Sequence, residues 1–229
     1  MDSSCSKLAL SLTQSYLDRT FQGEGIQVGM PATFIRFHGC SVKCSFCDFD
    51  YLNGRVTKTV EELFLEIKNT TWEPLVVFSG GEPLEQNQDA LGCLARQLLC
   101  RALRFVAIET SGTVIPKREL YSVIDFWTVS PKLLSADYAK PTNWEAVVDI
   151  AKYTTDSQLK LVICNRKDFD EAKEVLEKYG SWFRDRVLVP VWRPNSDAYK
   201  RAFVELLGWS REVPYCRVHA QFHKLLGCV

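Results

Sequence analysis

The sequence has no excess of either charge, because 28 lysine and arginine residues balance 28 aspartate and glutamate residues. A balanced chain lacks the broad basic face that duplex nucleic acid requires, so no nucleic-acid partner is expected. The sequence also has no apolar run long enough to cross a bilayer, and its first residues, MDSSCSKLALSL, lack a signal-peptide pattern. We therefore expect a cytoplasmic protein that binds no membrane.

Domain linkers are absent as well. The sequence contains no stretch rich in proline, glycine and serine, no internal repeat and no low-complexity segment. Apolar residues make up 46% of the chain, which is enough for one large hydrophobic core. Residues 1–229 are therefore expected to form a single domain.

Cysteine, in contrast, is abundant, with nine residues in the chain. Three of them, Cys40, Cys44 and Cys47, fall within eight positions of the segment GCSVKCSFCDFD. The others have no metal-ligand spacing and are expected to be reduced and to pack mostly as small apolar side chains. These six are Cys5, Cys93, Cys100, Cys164, Cys216 and Cys228.

A second cysteine pair, which zinc motifs usually supply, is missing. Iron–sulfur clusters offer another use for three thiolates, because each iron of a four-iron cluster normally takes one. Three cysteines would leave the fourth iron open to bind a substrate or a cofactor. The spacing therefore favours a 4Fe-4S cluster on Cys40, Cys44 and Cys47, and a non-catalytic zinc or iron–sulfur module is the alternative.

Short apolar runs alternate with amphipathic stretches along the chain, which predicts an α/β fold with mostly parallel strands. A capping box formed by Thr59 and Glu62 marks the start of the first predicted helix. The predicted strands are 32–39, 75–81, 104–112, 126–131, 158–165, 186–192 and 215–220. The predicted helices are 60–69, 88–100, 117–124, 143–153, 169–180 and 197–209.

Polar residues follow the ends of several predicted strands. They are Cys40, the SGGEP segment at 79–83, the ETSG segment at 109–112 and the SPK segment at 130–132. An open doubly wound sheet concentrates its site at one switch point, whereas a β/α barrel assembles its site from many strand ends. The pattern therefore favours a partial, incomplete β/α barrel.

The order CxxxCxxC, then GGEP after the next strand, is similar to the radical S-adenosylmethionine superfamily. More segments resemble one family within it, the 7-carboxy-7-deazaguanine synthases. The resemblance runs from about residue 14 to the C-terminus, so residues 1–13 are expected to form a flexible N-terminal extension. The matching segments are FQGEG (21–25), GMPATFIRFHGC (29–40), CSFCD (44–48), SGGEPL (79–84), AIETSGT (107–113), VSPK (129–132) and AQFHKLLG (220–227).

The resemblance implies a lyase that converts 6-carboxy-5,6,7,8-tetrahydropterin to 7-carboxy-7-deazaguanine by radical ring contraction with loss of ammonia. It implies a 4Fe-4S cluster and S-adenosylmethionine as cofactors, and a role in biosynthesis of deazapurines such as queuosine. It also implies an electron donor such as flavodoxin or ferredoxin, and a homodimer. A glycyl-radical-enzyme activase is a similarly sized alternative, but it lacks the FQGEG and HKLLG segments.

Residue by residue, the resemblance implies a binding site for S-adenosylmethionine. Glycine amides can approach the methionine group closely because no side chain intervenes. The Lys132 side chain has the alternative of an exposed loop lysine. The residues implied are Phe46, Asp48, Gly80, Gly81, Glu82, Glu109, Ser130, Pro131 and Lys132.

The resemblance also implies a substrate site. Arg36 suits a bidentate grip on a carboxylate, although a structural salt bridge is the alternative. His223 has the alternative of a buried structural imidazole, and the carboxylate of Val229 is expected to bind substrate. The residues implied are Phe21, Gln22, Gly23, Glu24, Arg36, Ser79, His223 and Val229.

One position departs from the family pattern. Many members have a threonine two residues after the last cysteine, and it helps to hold Mg²⁺, whereas this chain has Phe49. Phenylalanine has no oxygen to offer a cation that demands oxygen ligands. Mg²⁺ is then held without this side chain, or Asp50 or a backbone carbonyl substitutes, or the reaction proceeds without the metal. We expect activity to depend only weakly on Mg²⁺.

Overall fold

The structure, a computed structural model, describes residues 5–228. In that range one nine-stranded sheet has the strand order β3-β1-β2-β4-β5-β6-β7-β8-β9. β1 is antiparallel to both β2 and β3, and every other neighbouring pair is parallel. The strands are β1 (Ala9–Phe21), β2 (Pro31–Phe37), β3 (Val56–Thr59), β4 (Leu75–Gly80), β5 (Phe105–Thr110), β6 (Phe126–Val129), β7 (Ser157–Ile163), β8 (Asp185–Pro190) and β9 (Arg217–Val218).

Helices form most of the crossover connections between the parallel strands, as is usual in a parallel sheet. The capping box of Thr59 and Glu62 is present at the start of α1, as predicted. An asparagine side chain accepts main-chain hydrogen bonds at the start of each of the next four helices. The helices are α1 (Val60–Thr70), α2 (Gln88–Ala102), α3 (Trp144–Tyr153), α4 (Arg166–Tyr179), α5 (Ser196–Trp209) and α6 (Phe222–Leu226).

The two faces of the sheet carry two cores. The larger core lies between the sheet and the helices. The smaller core lies on the opposite face, where Ala32, Phe34, Leu75, Val77 and Ala107 pack together with Phe126. Because β3 and β9 remain edges of the described sheet, the sheet is not closed. The predicted partial barrel is confirmed.

Several predicted boundaries were wrong. Residues 9–13 of the segment expected to be a flexible extension belong to β1, which begins at Ala9. The helix predicted at 117–124 is a short 3₁₀ turn, Arg118–Ser122, and α6 was not predicted at all.

The cysteines are not all reduced as expected. Cys5 and Cys93 form a disulfide with a Cα–Cα distance of 6.0 Å, which joins the 3₁₀ turn Cys5–Lys7 to α2. The described helices include none that is both long and apolar enough to cross a membrane.

Candidate active site

A single pocket lies at the carboxyl edge of the parallel strands and gathers most of the residues that the sequence singled out. Phe46 is half-buried and Pro131 is buried, and neither lines the pocket. Val229 lies outside the described residues, so its predicted role stays a prediction. The predicted residues that do line the pocket are Phe21, Gln22, Gly23, Glu24, Arg36, Cys40, Cys44, Cys47, Asp48, Ser79, Gly80, Gly81, Glu82, Glu109, Ser130, Lys132 and His223.

The pleat of the strands explains this gathering. Side chains two residues apart lie on the same face of a strand, so one face can change from apolar to polar towards the strand end. This happens on three neighbouring strands. The steps are Phe34 to Arg36 on β2, Val77 to Ser79 on β4, and Ala107 to Glu109 on β5.

The three cysteines lie on the loop that follows β2. Positive φ angles at Gly39 (87°) and Lys43 (53°) turn this loop back over the pocket. Burial raises the pKa of the Cys40 and Cys44 thiols, so binding iron there must displace their protons.

The donor set of this loop fits an iron–sulfur cluster better than a single ion. Within residues 5–228, no three His, Cys, Asp or Glu side chains converge closely enough to hold one metal ion. A four-iron cluster has a separate iron for each thiolate, so its ligands stand further apart than those of a mononuclear site. Three thiols around one pocket therefore fit the cluster.

The GGE segment is bound to the cysteine loop through its main chain. Gly81 N–H donates to the Phe37 carbonyl at 2.9 Å, and Glu82 N–H donates to the Gly39 carbonyl at 2.9 Å. A Cβ atom on Gly81 would lie 1.9 Å from the Gly39 carbonyl oxygen. Only glycine at this position allows the end of β4 to pack against the loop that carries Cys40.

The carboxylate of Glu82 is fully engaged by the protein. It accepts hydrogen bonds from the Leu84 N–H (3.1 Å), the Ser111 N–H (2.8 Å) and the hydroxyls of Thr110 (2.7 Å) and Ser111 (2.5 Å). Burial raises its pKa. The side chain thus fixes the end of β4 to the end of β5. A contact of Glu82 with S-adenosylmethionine stays a prediction.

Glu109 organises the centre of the pocket. One of its carboxylate oxygens accepts from Gln22 Nε2 at 3.0 Å, and the other accepts from Ser79 Oγ at 2.8 Å. These bonds join the FQGEG loop to the ends of β4 and β5. The hydroxyl of Ser79 thus makes its hydrogen bond inside the pocket.

A buried ion pair lies on the far wall of the pocket. Lys160 Nζ lies 2.7 Å from Glu24 Oε2, and Gln221 Nε2 donates to Glu24 Oε1 at 2.6 Å. Burial opposes the charged form of both residues. The Lys160 ammonium nevertheless lowers the pKa of Glu24, and the carboxylates of Glu24 and Glu109 raise the pKa of Lys160. Both groups are therefore charged at neutral pH.

Arg36 both forms a salt bridge and lines the pocket. Its Nε donates to Asp18 Oδ2 at 2.7 Å, across the β1–β2 pair. The guanidinium carbon lies 4.5 Å from the ring centre of Phe34 and 5.0 Å from that of Phe49. The two alternatives for Arg36, a structural salt bridge and a ligand contact, are thus compatible.

Helix α6 covers one side of the pocket. Lys224 Nζ forms a salt bridge of 3.1 Å with Asp48 Oδ2, on the cysteine loop. A Cβ atom on Gly23 would lie 2.0 Å from Nδ1 of His223, so this glycine admits the imidazole. Burial lowers the pKa of His223, which makes it a neutral imidazole at physiological pH.

Comparison with known proteins agrees with this geometry. Residues 34–182 match the Radical SAM superfamily. A 7-carboxy-7-deazaguanine synthase from Pyrobaculum aerophilum is 36% identical over 164 residues, covering 70% of this chain and 71% of that protein. The chain belongs to the radical SAM superfamily and to its 7-carboxy-7-deazaguanine synthase family.

Two other comparisons extend over more of the chain. A 7-carboxy-7-deazaguanine synthase from Thermoplasma acidophilum is 31% identical over 209 residues, covering 90% of this chain and 93% of that protein. The crystal structure of QueE from Escherichia coli superposes with a TM-score of 0.72 at 24% identity. It covers 97% of this chain and 99% of that one, and it shows the same fold.

Some pocket residues of this radical SAM protein were missed from its sequence. Lys160 had a visible signal, because a lysine inside the apolar run QLKLVI cannot remain unpaired when the strand is buried. Lys224 and Phe34 had no such signal, because a lysine on a polar helix and a phenylalanine in a strand are both ordinary.

Proposed function

We propose that this protein is a 7-carboxy-7-deazaguanine synthase. It would convert 6-carboxy-5,6,7,8-tetrahydropterin to 7-carboxy-7-deazaguanine with loss of ammonia, as the names of its relatives and the pocket suggest. The product would enter biosynthesis of deazapurine nucleosides such as queuosine. The observation that carries the proposal is one pocket lined by three thiols, by the Arg36 cation and by the carboxylates of Glu24 and Glu109.

The cysteine side of the pocket would hold the cofactors. Cys40, Cys44 and Cys47 would ligate three irons of a 4Fe-4S cluster. When bound, the cluster and S-adenosylmethionine supply the one-electron chemistry that starts the rearrangement, and the protein supplies position and exclusion of water. Lys132, whose Nζ donates to Ser130 Oγ at 3.0 Å, presents a positive charge at the same wall.

Further cofactor contacts are proposed from the family pattern. Gly80, Gly81 and Glu82 line the pocket and would receive the methionine group, and Asp48 and Glu109 line the same pocket. Phe46 and Pro131 do not line it, so they would act by shaping the loops that carry Asp48 and Lys132.

The opposite side would bind the pterin. Arg36 would donate hydrogen bonds to the carboxylate of the pterin. The edge of the fused ring, which has donors and acceptors like those of guanine, would face Gln22, Glu24, Glu109 and Ser79. Phe21, Gly23 and His223 complete that wall.

The C-terminal tail lies near this wall. Thr20, which lines the pocket, donates its hydroxyl to the Cys228 carbonyl at 3.0 Å. A role for Val229 therefore remains part of the proposal.

The cellular context is also proposed. A flavodoxin or ferredoxin would donate the electron, the enzyme would act as a homodimer, and it would work in the cytoplasm as a single-domain protein. The activase alternative is set aside because it lacks the FQGEG and HKLLG segments, and the non-catalytic metal module because it does not explain GGEP, ETSG and SPK after successive strands.

Anaerobic reconstitution tests the function. The protein is loaded with iron and sulfide and reduced with dithionite in the presence of S-adenosylmethionine and 6-carboxytetrahydropterin. We expect 7-carboxy-7-deazaguanine by mass spectrometry, with turnover abolished when S-adenosylmethionine is omitted. A loaded protein that consumes none of the pterin would refute the assignment.

A further inference from the structure

Arg36 is held on three sides by its own protein. The rings of Phe34 and Phe49 lie against the guanidinium, with ring centres 4.5 Å and 5.0 Å from its central carbon. Asp18 accepts from Nε, and the Arg36 side chain is only 13% exposed. A guanidinium in contact with two rings and a carboxylate has few alternative positions.

This arrangement leaves the terminal nitrogens of the Arg36 guanidinium available to a ligand. Arginine has five N–H donors, and the single side-chain hydrogen bond of Arg36 within residues 5–228 uses the one on Nε. The two terminal nitrogens carry the other four donors, and Arg36 lines the pocket. Such a fork matches a carboxylate bidentately.

By the family resemblance, Phe49 occupies the position at which relatives supply a threonine for Mg²⁺, and neither Asp50 nor the Phe49 carbonyl replaces that oxygen. The Asp50 carboxylate accepts from the Leu52 N–H at 3.2 Å and does not line the pocket. The Phe49 carbonyl accepts from the Tyr51 N–H at 3.1 Å and from Cys47 Sγ at 3.5 Å. These residues therefore do not fit a Mg²⁺ site.

We propose that Phe49 is a positioning residue, which fixes Arg36 so that the guanidinium alone binds the substrate carboxylate without Mg²⁺. This inference rests on the proposed function and names the group that selects a carboxylated pterin. The ring stabilises the cation by stacking, and it keeps the terminal nitrogens directed at one place. A fixed cation would serve where other members use a metal ion.

Equilibrium binding to the reconstituted holoenzyme tests the proposal. Two probes are compared, 6-carboxypterin and pterin, which lacks the carboxylate. Phe49→Leu keeps an apolar side chain but removes the ring, and Arg36→Lys keeps the charge but removes the planar fork. The matched control is Phe105→Leu, because Phe105 is 58% exposed at the opposite end of β5.

We expect Phe49→Leu to bind 6-carboxypterin about three- to thirty-fold more weakly, from the usual strength of a cation–π contact. Its binding of pterin should not change, and neither should its iron content. Arg36→Lys should also lose the preference for 6-carboxypterin over pterin, and Phe105→Leu should keep that preference. Wild-type binding of 6-carboxypterin should be equal with Mg²⁺ and with a chelator, whereas Phe49→Thr should require Mg²⁺ for tight binding.

The outcomes separate this inference from the function. If the wild type makes the product but Phe49→Leu keeps its preference for the carboxylate, or a chelator weakens wild-type binding, the role of Phe49 is refuted while the function stands. If the wild type neither binds nor converts the carboxypterin, both fail.

Discussion

The carboxylate of Glu82 accepts a hydrogen bond from the main-chain N–H of Ser111 at 2.8 Å, so the end of β4 is tied directly to the end of β5. Its other oxygen accepts from the Leu84 N–H at 3.1 Å. A carboxylate can serve two N–H donors on two oxygens, whereas an amide has one oxygen and an NH₂ group. The segment most associated with the cofactor is thus also a structural joint between strands.

Glu82→Gln tests this joint. The amide must place its NH₂ against one of the two main-chain N–H donors, which leaves a buried donor unsatisfied. We expect the free energy of unfolding to fall by about 1–3 kcal/mol and iron content after reconstitution to fall with it. Urea denaturation and iron analysis measure both, with Glu119→Gln, an exposed residue, as the control. Wild-type values for Glu82→Gln would contradict the role given to the carboxylate.

Gly81→Ala tests the packing of Gly81 against the cysteine loop. Because the added Cβ atom meets the Gly39 carbonyl oxygen and carbon, which are backbone atoms, the cysteine loop must move. We expect the free energy of unfolding to fall by about 1–3 kcal/mol and the iron content after reconstitution to be low, measured by urea denaturation and iron analysis of the variant. Gly208→Ala is the control, because nothing lies within 4 Å of the new atom in α5, and helix propensity should raise stability by about 0.5–1 kcal/mol. Equal effects of the two substitutions would refute the argument.

Cys44→Ala should abolish the visible absorbance of the iron–sulfur cluster and all turnover, because two thiolates remain for three irons. Far-ultraviolet circular dichroism should be unchanged. Cys100→Ala removes an exposed, free cysteine on α2 and should keep both absorbance and activity. Turnover by the Cys44 variant would remove the basis of the cluster assignment.

Lys160→Met should make stability depend on pH in a defined direction. In the wild type the pKa of Glu24 is lowered. The contribution of Glu24 to the free energy of unfolding is therefore complete above the unfolded pKa of about 4.3, and it is constant from pH 5 to pH 8. Without Lys160, burial dominates and raises the pKa of Glu24 above the unfolded value. A raised pKa means that stability is lost as pH rises through it.

The gap in unfolding free energy between the wild type and Lys160→Met should therefore be small near pH 5. It should widen to about 3–5 kcal/mol by pH 8, which is the usual effect of breaking a buried ion pair. Urea denaturation across this range measures the gap, and the double variant Glu24→Gln/Lys160→Met should show no such trend. A gap that narrows with rising pH would show that Glu24 is not the titrating group.

The sequence predicted the parallel strands well, because runs such as LVVFSG are buried on both faces and end in glycine. It did not predict β1. The register of β1 against β2 shifts between Leu12 and Leu17, which breaks the two-residue alternation there, and the strand contains polar residues throughout. The break in the alternation arises from how β1 pairs with β2 in the folded protein, so the sequence alone could not show it.

The candidate site was predictable where a motif carries its own chemistry, and not where chemistry depends on distant pairing. The cysteines and the GGEP segment are short motifs, and the structure brings both to one pocket. The partner of Glu24 is Lys160, 136 residues further along the chain. Only the tertiary fold brings the loop after β1 and strand β7 together, and with them these two charges.

The salt bridge between Lys224 and Asp48 has a consequence for assembly. Helix α6 has five residues, too few to be stable alone, so its folded population depends on its contacts. One such contact is Asp48, the residue after Cys47, and any ligand that orders the cysteine loop must by mass action favour the docked helix as well. Cleavage of the chain by trypsin after Lys224 should then be slow in iron-loaded protein and fast in unloaded protein. The end of the chain would thereby report, from outside the pocket, whether the enzyme has received its iron.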